Sequence, residues 1–187
     1  MPAMSVLLLS AAHVRTHKKF FMPCVYISIG SNVDKTRNIR LALLALYKQF
    51  SDVTCSSVYE SRPVGFEGDT FYNLATVFTT ELDPMAVRKA LHAIEARQGR
   101  KRSDARFGPR TLDLDLLLYG DLVEHSDEID VPRAEIIDYA FILLPMKELA
   151  PTLKHPESGM TFASLWKDYR GDKSSLWPIE FAIPKAQ

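Results

Sequence analysis

The hydrophobic positions in the first half of the chain follow two periods, and each period predicts a different kind of element. Residues 25–29 are a β-branched and aromatic run that stops at the turn residues 30–32, which predicts a strand and then a turn. Apolar residues recur every three or four positions over residues 39–50, which predicts a helix. Residues 53–59 and 72–80 are again rich in strand-forming side chains and predict two further strands.

A second helix and a fourth strand complete this pattern. Asp83 is a favourable helix cap, Pro84 suits the first helical turn, and Gly99 favours the helix end. Residues 112–119 then predict the fourth strand. The resulting order β-α-β-β-α-β predicts an α+β fold, with a ferredoxin-like antiparallel sheet packed with helices.

The end of the chain adds short elements to this core. Proline-punctuated stretches near residues 133–138 and 142–149 predict additional C-terminal helical segments. The length of 187 residues suits a single domain, which we assign to residues 23–187. Residues 1–22 are interpreted as a leader that is disordered or begins at a non-native start. Its apolar run at residues 6–9 is too short to span a bilayer, and the positive charges follow that run rather than precede it.

Charge and cysteine content narrow the function classes. Lys+Arg and Asp+Glu both number 23, so no overall basic field indicates a nucleic-acid partner. Nothing in the sequence indicates a membrane partner. The two cysteines, Cys24 and Cys55, are too few for a disulfide framework, and their strand-like surroundings predict small core residues in a reducing cytosol. We therefore predict a cytoplasmic location.

The fourth predicted strand carries two acids. Asp113 and Asp115 alternate with leucines, so both carboxylates point to one face of the sheet while the leucines face the core. Two such carboxylates repel one another unless a positive group joins them. Magnesium typically takes one or two carboxylates together with substrate phosphates, which makes a metal–phosphate site one interpretation. Taken alone, the pattern is more typical of the solvated face of a half-exposed strand.

A basic loop lies immediately upstream of these acids. It contains a single acid, Asp104, among the basic residues Arg97, Arg100, Lys101, Arg102, Arg106 and Arg110. Such a run by itself also fits a solvated charged loop. Beside two carboxylates, however, several guanidinium groups favour binding of a polyphosphate.

Residues 106–115 read Arg-Phe-Gly-Pro-Arg-Thr-Leu-Asp-Leu-Asp, which resembles the signature of the 6-hydroxymethyl-7,8-dihydropterin pyrophosphokinase family. Residues 26–32 and 95–100 resemble other parts of that family, and the resemblance extends from about residue 25 to residue 151. It implies an enzyme of folate biosynthesis that transfers diphosphate from ATP to 6-hydroxymethyl-7,8-dihydropterin, giving AMP and the pterin diphosphate. It also implies two Mg²⁺ ions as cofactors, with ATP as co-substrate.

The resemblance assigns a role to each matching residue. Asp113 and Asp115 would hold the two Mg²⁺ ions, and Arg100 and Arg110 would neutralise the transferring group as catalytic residues. The residues implied in ATP binding are His92, Glu95, Arg100, Arg102, Arg106, Arg110, Leu116 and Arg133. Those implied in pterin binding are Gly30, Ser61, Arg62, Val64, Phe71, Asn73, Phe107 and Phe141.

Within the pterin set, Phe71 and Phe141 would sandwich the heterocycle and Asn73 would read its polar edge. The same residues also fit a plainer interpretation, in which the two phenylalanines are core residues and Asn73 is a polar strand end. The family would place Gly30 where the backbone approaches the pterin closely.

The chain departs from the family pattern at the nucleotide end. Arg133 stands where a His is usual and Tyr139 where an Arg is usual, and both usual residues approach the ATP phosphates. Glu128, Asp130 and His92 also differ from the usual residue types. These departures leave open a catalytically altered paralogue that binds pterin or nucleotide. A hand-off of product to the next folate-pathway enzyme is also left open.

An RNA-binding module is the remote alternative, since such modules combine a ferredoxin-like sheet with aromatic strand residues. The balanced charge and the two acids on the presumed binding face argue against it.

Overall fold

A computed structural model describes residues 22–100 and 110–185 of the chain. The strands are β1 Cys24–Ser31, β2 Ser51–Cys55, β3 Tyr59–Ser61, β4 Phe71–Thr79, β5 Asp113–Tyr119, β6 Glu124–His125, β7 Asp130–Val131 and β8 Leu176–Pro178. The α-helices are α1 Lys35–Gln49, α2 Pro84–Arg97, α3 Glu135–Asp138, α4 Ala140–Leu149 and α5 Phe162–Asp168, and a 3₁₀ turn spans Lys173–Ser175.

The main sheet is antiparallel, with β1 and β4 at its centre. Its strands lie in the order β5-β1-β4-β3-β8, and β2 pairs with β4 beside β3. The predicted α+β class with a ferredoxin-like antiparallel sheet is therefore confirmed. Helix α2 begins where the sequence predicts. The Asp83 side chain accepts from the Ala86 N–H at 2.7 Å, and Pro84 is the first residue of the helix.

Each face of the sheet is covered by a different pair of helices. On one face, α1 and α2 bury the first set of core side chains, which includes Ile27, Ile29, Leu43, Leu91, Leu112, Leu114 and Leu116. On the other face, α4 and α5 pack with Leu117, Leu143, Met146 and Phe162. The predicted alternation is thus observed at the start of β5, because Leu112, Leu114 and Leu116 pack on the side of α1 and α2 while Asp113 and Asp115 line the opposite face.

The predicted second strand is in fact two strands. At the break, Ser56 Oγ accepts from the Ala75 N–H at 3.0 Å, and the Ser57 N–H donates to Glu148 at 2.9 Å. These bonds to side chains replace regular ladder bonds, so β2 and β3 pair with separate parts of β4. The strand-forming side chains of residues 53–59 did not indicate this interruption, because the side chain that bonds to Ser57 comes from the distant helix α4.

The C-terminal segment returns to the sheet, which the sequence pattern did not predict. Strand β8 pairs with β3, and the Arg62 N–H donates to the Ser175 carbonyl at 3.0 Å. The segment therefore borders the loop that follows β3. Cys55 is half-buried, but Cys24 is exposed at the outer end of β1, so the prediction of a core residue is wrong for Cys24.

No helix within the described residues is long and apolar enough to cross a membrane.

Candidate functional site

A cleft of about 640 Å³ lies on the α4 side of the sheet. Its floor is formed by β1, β4 and β5, and its walls come from the loop after β3 and from the segment that leads into α3 and α4. The predicted site residues that line it are Gly30, Ser61, Arg62, Val64, Phe71, Asn73, Arg110, Asp113, Asp115, Arg133 and Phe141.

Gly30 lies at the centre of the cleft floor. The strand register pairs it with Asn73 on one side and with Asp113 on the other. A Cβ atom at Gly30 would lie 3.3 Å from Asn73 Oδ1 and 3.9 Å from Asp113 Cβ. A larger residue would therefore crowd the amide and the acid, so glycine keeps this part of the floor open.

Two guanidinium groups hold Asp113. Arg100 donates to one carboxylate oxygen and Arg110 to the other. Arg100 also donates to Glu95, whose carboxylate accepts from the Leu114 N–H at 2.8 Å. Glu95 thus connects the end of α2 to the start of β5 and places Arg100 beside Asp113.

The burial of this network shifts two of its pKa values. Burial raises the pKa of Glu95, and this outweighs the opposing effects of the Leu114 N–H and Arg100. Burial also lowers the pKa of Arg110, and the nearby charge of Arg100 acts in the same direction. Arg110 still carries its charge at neutral pH, because an unperturbed guanidinium titrates far above it.

Asp115 has a separate cationic partner. Arg133 Nη1 donates to Asp115 Oδ1 at 2.9 Å, and Arg133 Nη2 donates to Glu135 Oε1 at 3.0 Å. Partial burial raises the pKa of Glu135, but the hydrogen bond from Arg133, a backbone hydrogen bond and the charge of Arg133 together outweigh burial, so the pKa lies below its ordinary value. The two acids of β5 are therefore both paired with arginines.

The turn after β1 fixes the start of β5. Asn32 Oδ1 accepts from the Arg110 N–H at 2.6 Å, and the Asn32 N–H donates back to the Arg110 carbonyl at 3.0 Å. Ser31 Oγ donates to the Thr111 carbonyl at 2.7 Å. This turn holds the backbone that carries Arg110 and leads into Asp113.

The opposite end of the cleft is aromatic and amide-lined. Asn73 is buried and its Nδ2 donates to Ser61 Oγ at 2.9 Å. Phe71 packs edge-on against Phe66, with ring centroids 6.2 Å apart. Phe141 stacks on Tyr139 at 5.1 Å, with an angle of 18° between the rings. Phe66 and Tyr139 were not predicted to bind the pterin, but both line the cleft. They therefore enlarge the aromatic part of the site.

A smaller cavity of about 120 Å³ adjoins Asp115. The predicted ATP-binding residues His92 and Leu116 line it, together with residues 126–130. Asp115 and Arg133 line both this cavity and the cleft. The two cavities therefore meet where the acids of β5 lie.

The structure brings most of the predicted site residues together. Glu95 and Arg100 do not line the cleft. Arg100 contacts Asp113, and Glu95 accepts from the Leu114 N–H. Arg102, Arg106 and Phe107 lie outside the described residues. Sequence reasoning missed Glu135 and Phe66, and a signal existed only for Glu135, which follows a predicted phosphate-binding arginine by two positions.

The donor set of the acidic end fits magnesium. Within residues 22–100 and 110–185, no group of three or more His, Cys, Asp or Glu side chains forms a complete metal site. The pair Asp113 and Asp115 nevertheless suits Mg²⁺, which is usually held by one or two carboxylates plus substrate phosphates. Hard oxygen donors beside guanidinium groups are the chemistry that a metal–polyphosphate complex requires.

Comparison with known proteins agrees with this geometry. Residues 26–151 match the family described as 7,8-dihydro-6-hydroxymethylpterin-pyrophosphokinase. The chain belongs to this pyrophosphokinase family. The predicted enzyme class is thereby confirmed: the protein is an ATP:pterin diphosphotransferase of folate synthesis.

Curated relatives of the pyrophosphokinase family include bacterial proteins of similar length. A 2-amino-4-hydroxy-6-hydroxymethyldihydropteridine pyrophosphokinase of Pseudomonas aeruginosa is 38% identical over 137 residues, which are 71% of this chain and 84% of the relative. A protein of the same name from Haemophilus influenzae is 36% identical over 141 residues, which are 73% of this chain and 88% of that one.

Other relatives are much longer. The folic acid synthesis protein FOL1 of Dictyostelium discoideum is 36% identical over 73% of this chain, but the match spans only 21% of FOL1. Among solved structures, the Plasmodium falciparum HPPK-DHPS with pteroate superposes with a TM-score of 0.66. That match covers 80% of this chain and 44% of the Plasmodium chain at 14% identity, so it supports the fold alone.

Proposed function

We propose that the cleft carries out the family's diphosphate transfer with the pterin at its aromatic end and the ATP phosphates at its acidic end. The single observation that carries this arrangement is the register of Gly30, which sets Asn73 and Asp113 on either side of one open floor position. A pterin bound against Asn73 would therefore present its substituent towards the acids of β5.

The aromatic end has the chemistry of a pterin pocket. Phe71 and Phe141 line the same cleft, and offset stacking on such rings suits a flat heterocycle. Asn73 can both donate to and accept from the polar edge of a pterin, and its contact with Ser61 fixes the orientation of the amide. We assign the backbone of residues 61–64 to the same edge.

The acidic end has the chemistry of a polyphosphate site. Asp113 and Asp115 would hold two Mg²⁺ ions, which would neutralise phosphate charge and align the reacting groups when bound. Arg100 and Arg110 both form ion pairs with Asp113. As Asp113 changes partners, their N–H groups become available to phosphate oxygens, for which guanidinium forks are well suited.

The residues present fit an in-line displacement. The hydroxymethyl oxygen of the pterin forms a bond to the β-phosphorus of ATP, the bond from that phosphorus to the α,β-bridging oxygen breaks, and AMP leaves. The proton of the hydroxymethyl group is lost to solvent in the balanced reaction. Since phosphoryl transfer is intrinsically loose, the protein contributes mainly positioning and charge neutralisation. We place the nucleoside of ATP in the smaller cavity with His92 and Leu116.

The test of this proposal is product analysis. The protein is incubated with ATP, MgCl₂ and 6-hydroxymethyl-7,8-dihydropterin, and the nucleotides are separated by ion-exchange chromatography. AMP that accumulates in step with the pterin diphosphate is the expected result. ADP as the product would instead indicate a simple kinase, and binding of both substrates without turnover would indicate the altered paralogue.

The printed names HPPK-DHPS and folic acid synthesis protein describe longer relatives that contain a segment like this chain. They support a hand-off of the product to a further folate-pathway enzyme, which we retain as part of the proposal. The cytoplasmic location stays a prediction.

A further inference from the structure

Arg133 lies at the boundary between the two cavities, with one carboxylate on each side of its guanidinium group. Nη1 contacts Asp115 and Nη2 contacts Glu135, at 2.9 and 3.0 Å. The backbone N–H of Arg133 donates to the Leu117 carbonyl at 3.1 Å, which ties the residue to the outer edge of β5. Arg133 is thus fixed at its backbone and at both ends of its fork.

Glu135 is itself well placed to hold this fork. It is the first residue of α3, and the next residue, Ile136, is fully buried on the α4 side of the sheet. The Ile136 N–H donates to the Arg133 carbonyl at 3.1 Å, so Arg133 and Glu135 belong to one turn. The position of the Glu135 carboxylate therefore follows from the packing of α3.

We infer that Glu135 is a positioning residue that keeps Arg133 aimed at the nucleotide phosphates. The inference rests on the proposed function, in which Asp115 gives up its arginine contact to other ligands. At that stage Glu135 still holds Nη2, so the guanidinium group stays at the boundary with Nη1 free to turn to phosphate. Without Glu135, the long side chain of Arg133 would gain many other rotamers and would bind phosphate less well.

The positioning role and simple electrostatics predict opposite changes in nucleotide affinity when Glu135 is replaced. Glu135 carries a negative charge near the proposed phosphate site, so charge alone predicts that its removal strengthens binding of a polyphosphate. Positioning predicts the opposite, because the loss of the Glu135 contact leaves Arg133 less ordered. The direction of the change in nucleotide affinity therefore separates the two explanations.

The experiment measures binding of α,β-methylene-ATP with MgCl₂ by titration calorimetry in about 0.1 M salt. We expect Glu135→Gln to weaken binding about fivefold, which is the upper end for a partly exposed ion pair. Glu135→Asp keeps the charge but shortens the side chain, and it should also weaken binding. Asp138→Asn is the matched control. This carboxylate also lines the cleft and has no ion pair among the described residues, so binding should be unchanged or tighter.

An Arg133→Ala background completes the test. With no guanidinium group to position, Glu135→Gln should no longer weaken binding. Glu135→Gln that binds as tightly as the unmodified protein, or that weakens binding equally in the Arg133→Ala background, would overturn the inference. Normal AMP formation by the unmodified protein alongside either result would leave the proposed function standing, so the two failures are distinguishable.

Discussion

Replacing Asp113 by Asn removes the negative charge that holds two guanidinium groups together on the floor of the cleft. Asp113 contacts both Arg100 and Arg110, and its side chain is 15% exposed. After the substitution the two arginines would keep only the more distant charge of Asp115 and the carboxylate of Glu95 to offset their mutual repulsion. The carboxylates of β5 therefore do not simply repel one another in the free protein, and losing one has a cost.

The magnitude follows from the exposure of the groups. Exposed ion pairs contribute up to about 1 kcal/mol, and breaking buried ones costs about 3–5 kcal/mol. Arg100 and Arg110 are 25% and 29% exposed, which places Asp113→Asn between these limits, at about 2 kcal/mol. For a chain of this size that corresponds to a fall in melting temperature of about 4–8 °C.

Asp115→Asn is the matched variant. Asp115 is 34% exposed and forms an ion pair with Arg133, which keeps Glu135 as a partner. The loss should therefore stay below about 1 kcal/mol, or less than about 4 °C. Both variants should nevertheless lower the rate of AMP formation by on the order of 10³-fold, because both carboxylates belong to the proposed metal site.

The assay combines thermal unfolding followed by circular dichroism with measurement of AMP formation at saturating substrates. Equal melting temperatures for the two variants, within about 1 °C, would refute the reasoning about the arginine pairs. Near-normal turnover in both variants would refute the metal assignment instead. The melting temperatures therefore test the ion pairs, and the turnover tests the proposed metal site.

Two further predictions concern the pterin pocket and pH. Phe71→Ala should weaken pterin binding by about 1–3 kcal/mol and leave ATP affinity nearly unchanged in calorimetry, and an equal loss for both ligands would mean that Phe71 is a core residue. The Nδ1 atom of His155 accepts from the Glu157 and Ser158 N–H groups, and burial lowers the pKa of this imidazole. The stability that neutral His155 contributes is therefore present above about pH 6.5 and is lost as the pH falls through the lower pKa of the folded state. His155→Asn, which keeps an acceptor but does not titrate, should flatten this dependence in pH-resolved unfolding. His125 should behave oppositely, because hydrogen bonds to Asp130 and then Glu157 raise its pKa, and imidazole titration by NMR should give a higher pKa for His125 than for His155.

Local patterns in the sequence were sufficient for most of the fold. The two-residue period at the start of β5 correctly placed Asp113 and Asp115 on one face and Leu114 and Leu116 on the other. The cap at Asp83 and the left-handed Gly99, with φ of 83°, correctly bounded α2. These features depend on residues within a few positions of one another, so they are readable without the tertiary structure.

The family signature likewise predicts where the site lies along the chain. It did not indicate that Arg100 and Arg110 would share Asp113, or that Arg133 would divide its fork between Asp115 and Glu135. Such partners are chosen when separate elements pack, and one guanidinium group has several carboxylates within possible reach.

Sequence patterns alone were thus enough for the types of the core elements and for the face of the two β5 acids, and they predict the residues of the candidate site. Only the tertiary structure decided the break between β2 and β3, the return of β8 to the sheet and the partners of each charge. The physical reason is the separation along the chain over which each effect acts. Side-chain periodicity and capping act over a few residues, whereas β8 joins β3 across more than a hundred residues and depends on the packing of everything between them.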